Sequence, residues 1–193
     1  MSENVDLLDS VLDKTSTLIA AVPPDAAHRP TPCPEFDVDA LVSHLTQWLT
    51  TFATSLEGDP PPTPAAEAGG WPAIEAEQFA LAGRHAVSAF RNGADGRPVT
   101  LMGGPIPGSM VLGMMLMEYV GHGWDLATAT GQPLPFGEAE AEAALAAGRQ
   151  FLTPEYRGPD KSFGDEVPVP DDAPAVERLI GFLGRDPYAP PRP

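Results

Sequence analysis

The sequence predicts an all-α fold: a four-helix bundle with a short extended or hairpin insert and a small C-terminal helical appendage. Three observations carry that prediction. Long stretches repeat apolar residues at i, i+3, i+4 and i+7, the period of one helix face. Strand-type alternation is weak throughout. Nearly all of the 24 prolines, with many of the 19 glycines, fall between the helical stretches and punctuate them.

The first helix is expected from about Asn4 to Ala21, with Leu7, Leu8, Val11, Leu12, Thr15, Leu18 and Ile19 on its apolar face. Pro23 and Pro24 end it, and a Pro-rich link through Arg29-Pro30-Thr31-Pro32-Cys33-Pro34 follows. Asp37 is the expected N-cap of the second helix, whose stripe is Leu41, Leu45, Trp48, Leu49 and Phe52. Gly58 and the run Pro60-Pro61-Pro62 break it, and residues 57–70 read as a mobile loop. A third helix is expected from about Trp71 to Phe90, anchored by Ile74, Phe79, Leu81, Val87 and Phe90. Residues 97–108 read as the extended or hairpin insert. Ser109 is positioned to cap a fourth helix running from Met110 to about Thr130, closed by Gly131 and Pro133. A fifth, alanine-rich helix spans about Gly137 to Leu152, and a short one covers Ala175 to Leu183. The whole chain, 1–193, is expected to be one domain, with the bundle core at about 4–152 and an extension at about 153–193.

Charge narrows the function. The net charge of −16 repels phosphate backbones and anionic membrane surfaces, so neither nucleic acid nor membrane is an expected partner. Cys33 is the single cysteine, which excludes an intramolecular disulfide and a multi-cysteine zinc site. The longest apolar run, Met110 to Met117, is far below the ~20 residues of a membrane span. The start of the chain is acidic and unlike a secretory signal, so a cytoplasmic protein, monomer or homodimer, is expected.

Chemistry concentrates in the fourth helix. From Met110 to Ala127 apolar residues point in nearly every direction, so this helix belongs at the centre. Apart from Tyr119, its ionisable side chains are Glu118, His122 and Asp125. At about 100° per residue, His122 lies about 40° from Glu118 and Asp125 about 20° to the other side, so all three share one stripe. A buried charged stripe requires pairing or coordination. His44, set among Leu41, Leu45 and Trp48, faces inward from the second helix. His44, Glu118 and His122 together offer two imidazoles and a carboxylate, a donor set for a first-row divalent metal with positions left open. Asp125 then orients a ligand or acts on the substrate. A buried Glu–His ion pair, with His44 as a core histidine, accounts for the same residues without a metal.

Two motifs resemble a known family. The stretch Thr31-Pro32-Cys33-Pro34-Glu35-Phe36-Asp37-Val38-Asp39-Ala40-Leu41-Val42-Ser43-His44-Leu45 is similar to a T-P-C-x-x-W-x-V-x-x-L-x-x-H-L pattern. The run from Glu118 to Ala127 resembles an E-x-x-x-H-x-W-D-L-A pattern, and the tail through Arg178 to Pro187 resembles the usual ending. These belong to the DinB-like metal-binding superfamily, in the branch related to the N-terminal domain of mycothiol-dependent maleylpyruvate isomerase. The resemblance implies a DinB-like four-helix bundle whose divalent metal, commonly zinc, with nickel or another ion an alternative, is held by His44, Glu118 and His122. It also implies mycothiol or another low-molecular-weight thiol as cosubstrate, and a small-molecule substrate. Two departures qualify it. Phe36 stands where the family carries Trp, and only about 40 residues follow the fifth helix, where the isomerase has an α/β domain contributing to its active site. The expectation is therefore metal and thiol chemistry of transferase or isomerase-like type, without maleylpyruvate isomerisation itself. A non-catalytic metal-binding module and a metal-dependent hydrolase remain alternatives.

Other polar residues have ordinary expected roles. Cys33 reads as a packing residue before the helix cap, His85 as an exposed or core histidine and His28 as solvated. Glu138, Glu140 and Glu142 read as a solvated face carrying charge suited to a helix N-terminus.

Overall fold

The computed structural model describes residues 3–58, 76–158, 161 and 163–189. Among the described residues six α-helices and one hairpin follow in order: α1 Glu3–Ala20, α2 Val38–Glu57, α3 Ala76–Arg91, β1 Pro98–Leu101, β2 Gly104–Pro107, α4 Gly108–Thr130, α5 Glu138–Phe151 and α6 Ala175–Phe182. The all-α prediction holds, with the insert as an antiparallel hairpin that pairs Val99 with Ile106 and Leu101 with Gly104. Among the described residues no helix is long and apolar enough to cross a membrane. Residues 71–75 of the expected third helix, and 59–70 of the expected mobile link, lie outside the described residues.

The first four helices close a ring. α1 packs against α3 and α4, and α2 packs against the same two, so the order around the bundle is α1, α3, α2, α4. α5 lies outside against α4, and α6 against α5. α1 buries Leu8, Val11, Leu12, Thr15, Leu18 and Ile19, the face its period defines. α2 starts where Asp37 accepts a hydrogen bond from the Ala40 N–H at 2.9 Å, and ends at Gly58 with φ 96°. Its buried stripe of Leu41, Leu45, Leu49 and Phe52 sets which face of α2 meets the bundle interior.

Three expectations are corrected. Leu81 is 51% exposed, because it sits about 200° around α3 from buried Phe79. Ser109 does not cap α4; the helix begins two residues earlier than expected, at Gly108 after Pro107, with no side-chain cap. There the Gly108 N–H donates to Arg97 O at 2.9 Å, and a Cβ on Gly108 would stand 1.8 Å from Ala94 O. A tertiary contact open only to glycine therefore starts the helix. Glu140 is not part of a solvated face: it is 4% exposed and accepts from Ser10 and Lys14 of α1, each at 2.7 Å, and from the Gly137 N–H at 2.7 Å. α5 lies close enough to α1 to cover its own first turn.

Candidate metal centre

α2 and α4 bring the candidate ligands together. His44 Nε2 lies 2.8 Å from Glu118 Oε1, and His122 Nε2 lies 3.7 Å from the same oxygen. One donor atom from each of the three residues falls within 4.8 Å of the others. Donors about 2.0–2.2 Å from a first-row divalent ion stand roughly 3–3.5 Å apart. The two measured separations bracket that range, so these residues fit such an ion with small side-chain adjustments. Their side chains keep 15%, 21% and 12% of their surface, so the cluster is partly exposed.

Behind them the site is sealed. Asp125 has no exposed surface, and its Oδ2 accepts from His122 Nδ1 at 2.9 Å. Because Nδ1 gives its hydrogen to the carboxylate, the lone pair of His122 lies on Nε2, the nitrogen turned toward Glu118. Arg185 grips the same carboxylate, with Nε 3.1 Å from Oδ1 and Nη2 2.8 Å from Oδ2. Burial alone would raise the Asp125 carboxyl, but the Arg185 charge and the His122 hydrogen bond outweigh it and hold it below its usual value. For Glu118 burial again acts upward, and the imidazoles of His122 and His44 beside it overcome it, lowering the carboxyl to about 2.

Aromatic rings flank the open side. The Phe36 ring centre lies 4.6 Å from that of His44 and 5.9 Å from that of His122, and Trp48 stands 6.4 Å from His44. Phe36 therefore forms an apolar wall at the imidazoles, at the place where the family pattern has Trp.

Two residues at the site escaped the sequence reading. Arg185 is 60 positions from Asp125, and no local spacing joins them. Cys33 is buried, as a packing residue is, but its sulfur lies within 4.8 Å of both a His122 nitrogen and an Asp125 oxygen. Burial pushes its thiol up to about 11, against the opposing charge of Arg185, so it is a neutral thiol. His85 lies away from the cluster, half exposed and 2.7 Å from Glu57, and His28 is 88% exposed.

A helical bundle that gathers two imidazoles and a carboxylate from facing helices has the architecture of the DinB-like metal-binding class. The model of the mycothiol maleylpyruvate isomerase N-terminal domain matches residues 8–127, a span that contains His44, Glu118, His122 and Asp125, and the chain belongs to that family. Two uncharacterized proteins of Mycobacterium tuberculosis, from strains CDC 1551 and H37Rv, are each 34% identical to it over 176 residues. That alignment covers 90% of this chain and 92% of each relative. No solved structure gives a significant match.

Proposed function

We propose that this protein is a cytoplasmic, divalent-metal-dependent enzyme of thiol transferase or isomerase-like type, acting on an electrophilic small molecule. The observation that carries the reading is the half-open cluster of His44, Glu118 and His122 backed by sealed Asp125. His44, Glu118 and His122 are its ligands, with zinc the ion best matched to two imidazoles and one carboxylate, and nickel the next. When bound, such an ion supplies Lewis acidity that favours the thiolate form of a small thiol near neutral pH. The family's name points to mycothiol or a similar low-molecular-weight thiol as the nucleophile.

The chain's own groups do the rest. Asp125 holds His122 with its Nε2 lone pair toward the cluster. Both Asp125 oxygens are occupied by Arg185 or His122, so its part is to orient the imidazole and not to meet substrate. Phe36 and Trp48 present apolar rings beside His44, which offer a face to the carbon skeleton of a substrate. Cys33, neutral and buried, does not compete as a nucleophile.

The test is a conjugation assay. Zinc-loaded protein is given mycothiol, and in parallel another small thiol, with an α,β-unsaturated carbonyl compound. Loss of thiol that depends on zinc and on His44 supports the reading. A protein that binds zinc stoichiometrically but accelerates no thiol addition is a binding module, and turnover without thiol identifies a hydrolase.

A further inference from the structure

The C-terminal arm passes behind the candidate metal centre, where Arg185 meets Asp125, and its course is closely determined. α6 stops at Phe182, and Gly184 then takes φ +84°, a conformation that L side chains rarely adopt. A Cβ on Gly184 would also stand 2.9 Å from the backbone of Gly164. The turn is held by Gly184 N–H to Gly181 O and Arg185 N–H to Ile180 O, both 3.0 Å. Just before it, Leu183 lies over Gly121 of α4, where an added Cβ would meet Leu183 Cδ1 at 2.6 Å. Gly121 is the immediate neighbour of His122. The arm is thus anchored one residue from a candidate ligand, and its glycine turn aims Arg185 inward.

The guanidinium is then held on several sides. Its Nη1 donates to Leu183 O at 3.1 Å, while Nε and Nη2 fork onto the two oxygens of Asp125. Asp125 Oδ2 receives three donors, Arg185 Nη2 at 2.8 Å, His122 Nδ1 at 2.9 Å and Arg185 Nε at 3.2 Å. Nη2 and Nδ1 are themselves 3.4 Å apart, two donors converging on one acceptor. A single buried carboxylate could turn about its bond to the chain. A carboxylate held in a two-point fork has its plane fixed, and with it the direction from which it accepts the imidazole hydrogen.

We infer that Arg185 is a positioning residue for the metal centre: by fixing the plane of Asp125 it holds His122 in the Nδ1–H form with Nε2 turned toward His44 and Glu118, so that docking of the arm, residues 175–187, sets metal affinity. The inference rests on reading His44, Glu118 and His122 as ligands. It adds that the site is assembled by a contact between α4 and a segment outside the residues matched to the family. Coupling of this kind is reciprocal, so a bound ion must also secure the arm.

A role of Arg185 in fastening α6 alone predicts none of this, and three measurements on the full chain separate the two. Long-range proton–nitrogen NMR spectra of the metal-free protein report which nitrogen of His122 carries the hydrogen. The native chain shows Nδ1–H, and Arg185→Gln shows the Nε2–H form or a mixture, with melting curves confirming that it is folded. Zinc titration gives a Kd weakened about 10- to 100-fold in Arg185→Gln, the usual loss when a ligand's supporting partner is removed. Arg185→Lys, which keeps the charge without the fork, recovers only part of that loss. Hydrogen exchange on the native chain requires no variant to fold: zinc slows exchange within 175–187 while leaving α3 unchanged. A folded Arg185→Gln with Nδ1–H and native zinc affinity overturns the inference, as does an arm whose exchange ignores zinc. A native chain that binds no zinc overturns the ligand reading instead, while the tautomer comparison on metal-free protein still decides whether Arg185 orients His122.

Discussion

His122 and Asp125 are one helical turn apart on α4, and the imidazole Nδ1 meets the carboxylate Oδ2 at 2.9 Å while the carboxylate has no contact with solvent. Spacing of i, i+3 places both on one face, and burial of Asp125 makes the pairing obligatory, because an unpartnered carboxylate in that position would be too costly. The candidate centre is therefore directional: hydrogen bonding occupies the rear of His122, and the front faces Glu118 and the solvent-reachable side.

Replacing Asp125 with Asn tests that direction. The amide keeps the volume and one acceptor, but it removes the charge that pairs with Arg185 at 2.8 Å. Breaking a buried pair costs about 3–5 kcal/mol. Asp125→Asn is expected to melt at lower temperature, to keep most of its metal when metal is supplied in excess, and to lose roughly 10- to 100-fold in any thiol-transfer rate. Metal analysis and a rate assay on the same sample check this. Metal loss as complete as in Glu118→Gln would make Asp125 a direct ligand.

Removing the ion should soften the protein without unfolding it. The ring of α1, α3, α2 and α4 has an apolar core independent of the centre, including Leu8, Leu49, Phe79 and Met115. Binding to the folded state alone stabilises by mass action, about 2.7 kcal/mol at a ligand concentration 100 times Kd. Chelation is expected to lower Tm while leaving the helical circular dichroism at 25 °C in place. Loss of the helical signal on chelation would assign the ion a structural role.

Part of the acid sensitivity should trace to Glu140. Burial pushes its carboxyl upward, yet hydrogen bonds from Lys14, Ser10 and the Gly137 N–H prevail and hold it below the ordinary value. A carboxyl depressed in the folded state contributes stability above its unfolded value, about 4.3, and that contribution disappears as pH falls through the folded value. Glu140→Gln is expected to cost about 1–3 kcal/mol at pH 7. The gap in Tm between the two proteins should narrow from about pH 5 downward. A gap that stays constant to pH 3 would show that the charge on Glu140 does not matter.

Gly108 offers a purely steric prediction. A Cβ there overlaps Ala94 O at 1.8 Å, a backbone atom that cannot rotate away. Gly108→Ala should displace the start of α4 and lower Tm by several degrees, although alanine is the better helix former. An unchanged or higher Tm would mean that the turn before the hairpin yields easily.

What could be read from the chain and what could not divide by the range of the interaction. Glu118, His122 and Asp125 were legible because the helical period alone puts them on one stripe, and His44 because apolar neighbours at helical spacing turned it inward. The caps at Asp37, Gly58 and Gly131 are equally local. Arg185 was not legible: its partner is 60 positions away and depends on how α6 docks. The same holds for Glu140, whose alternating acidic neighbours suggest a wet surface while Lys14 arrives from 126 positions away. Cys33 was read as a packing residue and is buried, but its approach to His122 and Asp125 depends on how the turn before α2 lies against α4. Ser109 shows the opposite error, a locally good cap displaced by the contact of Gly108 with Ala94.

Metal analysis of the purified chain and four variants tests the central claim most directly. The native protein, dialysed against zinc and then against metal-free buffer, should retain close to one divalent ion per chain. His44→Ala should lose most of it, because His44 is the only one of the three candidate ligands contributed by α2. Glu118→Gln should lose it too, while His85→Ala, with its imidazole away from the cluster, should keep it. A chain that retains one ion per molecule with His44, Glu118 and His122 all replaced by alanine would contradict the account.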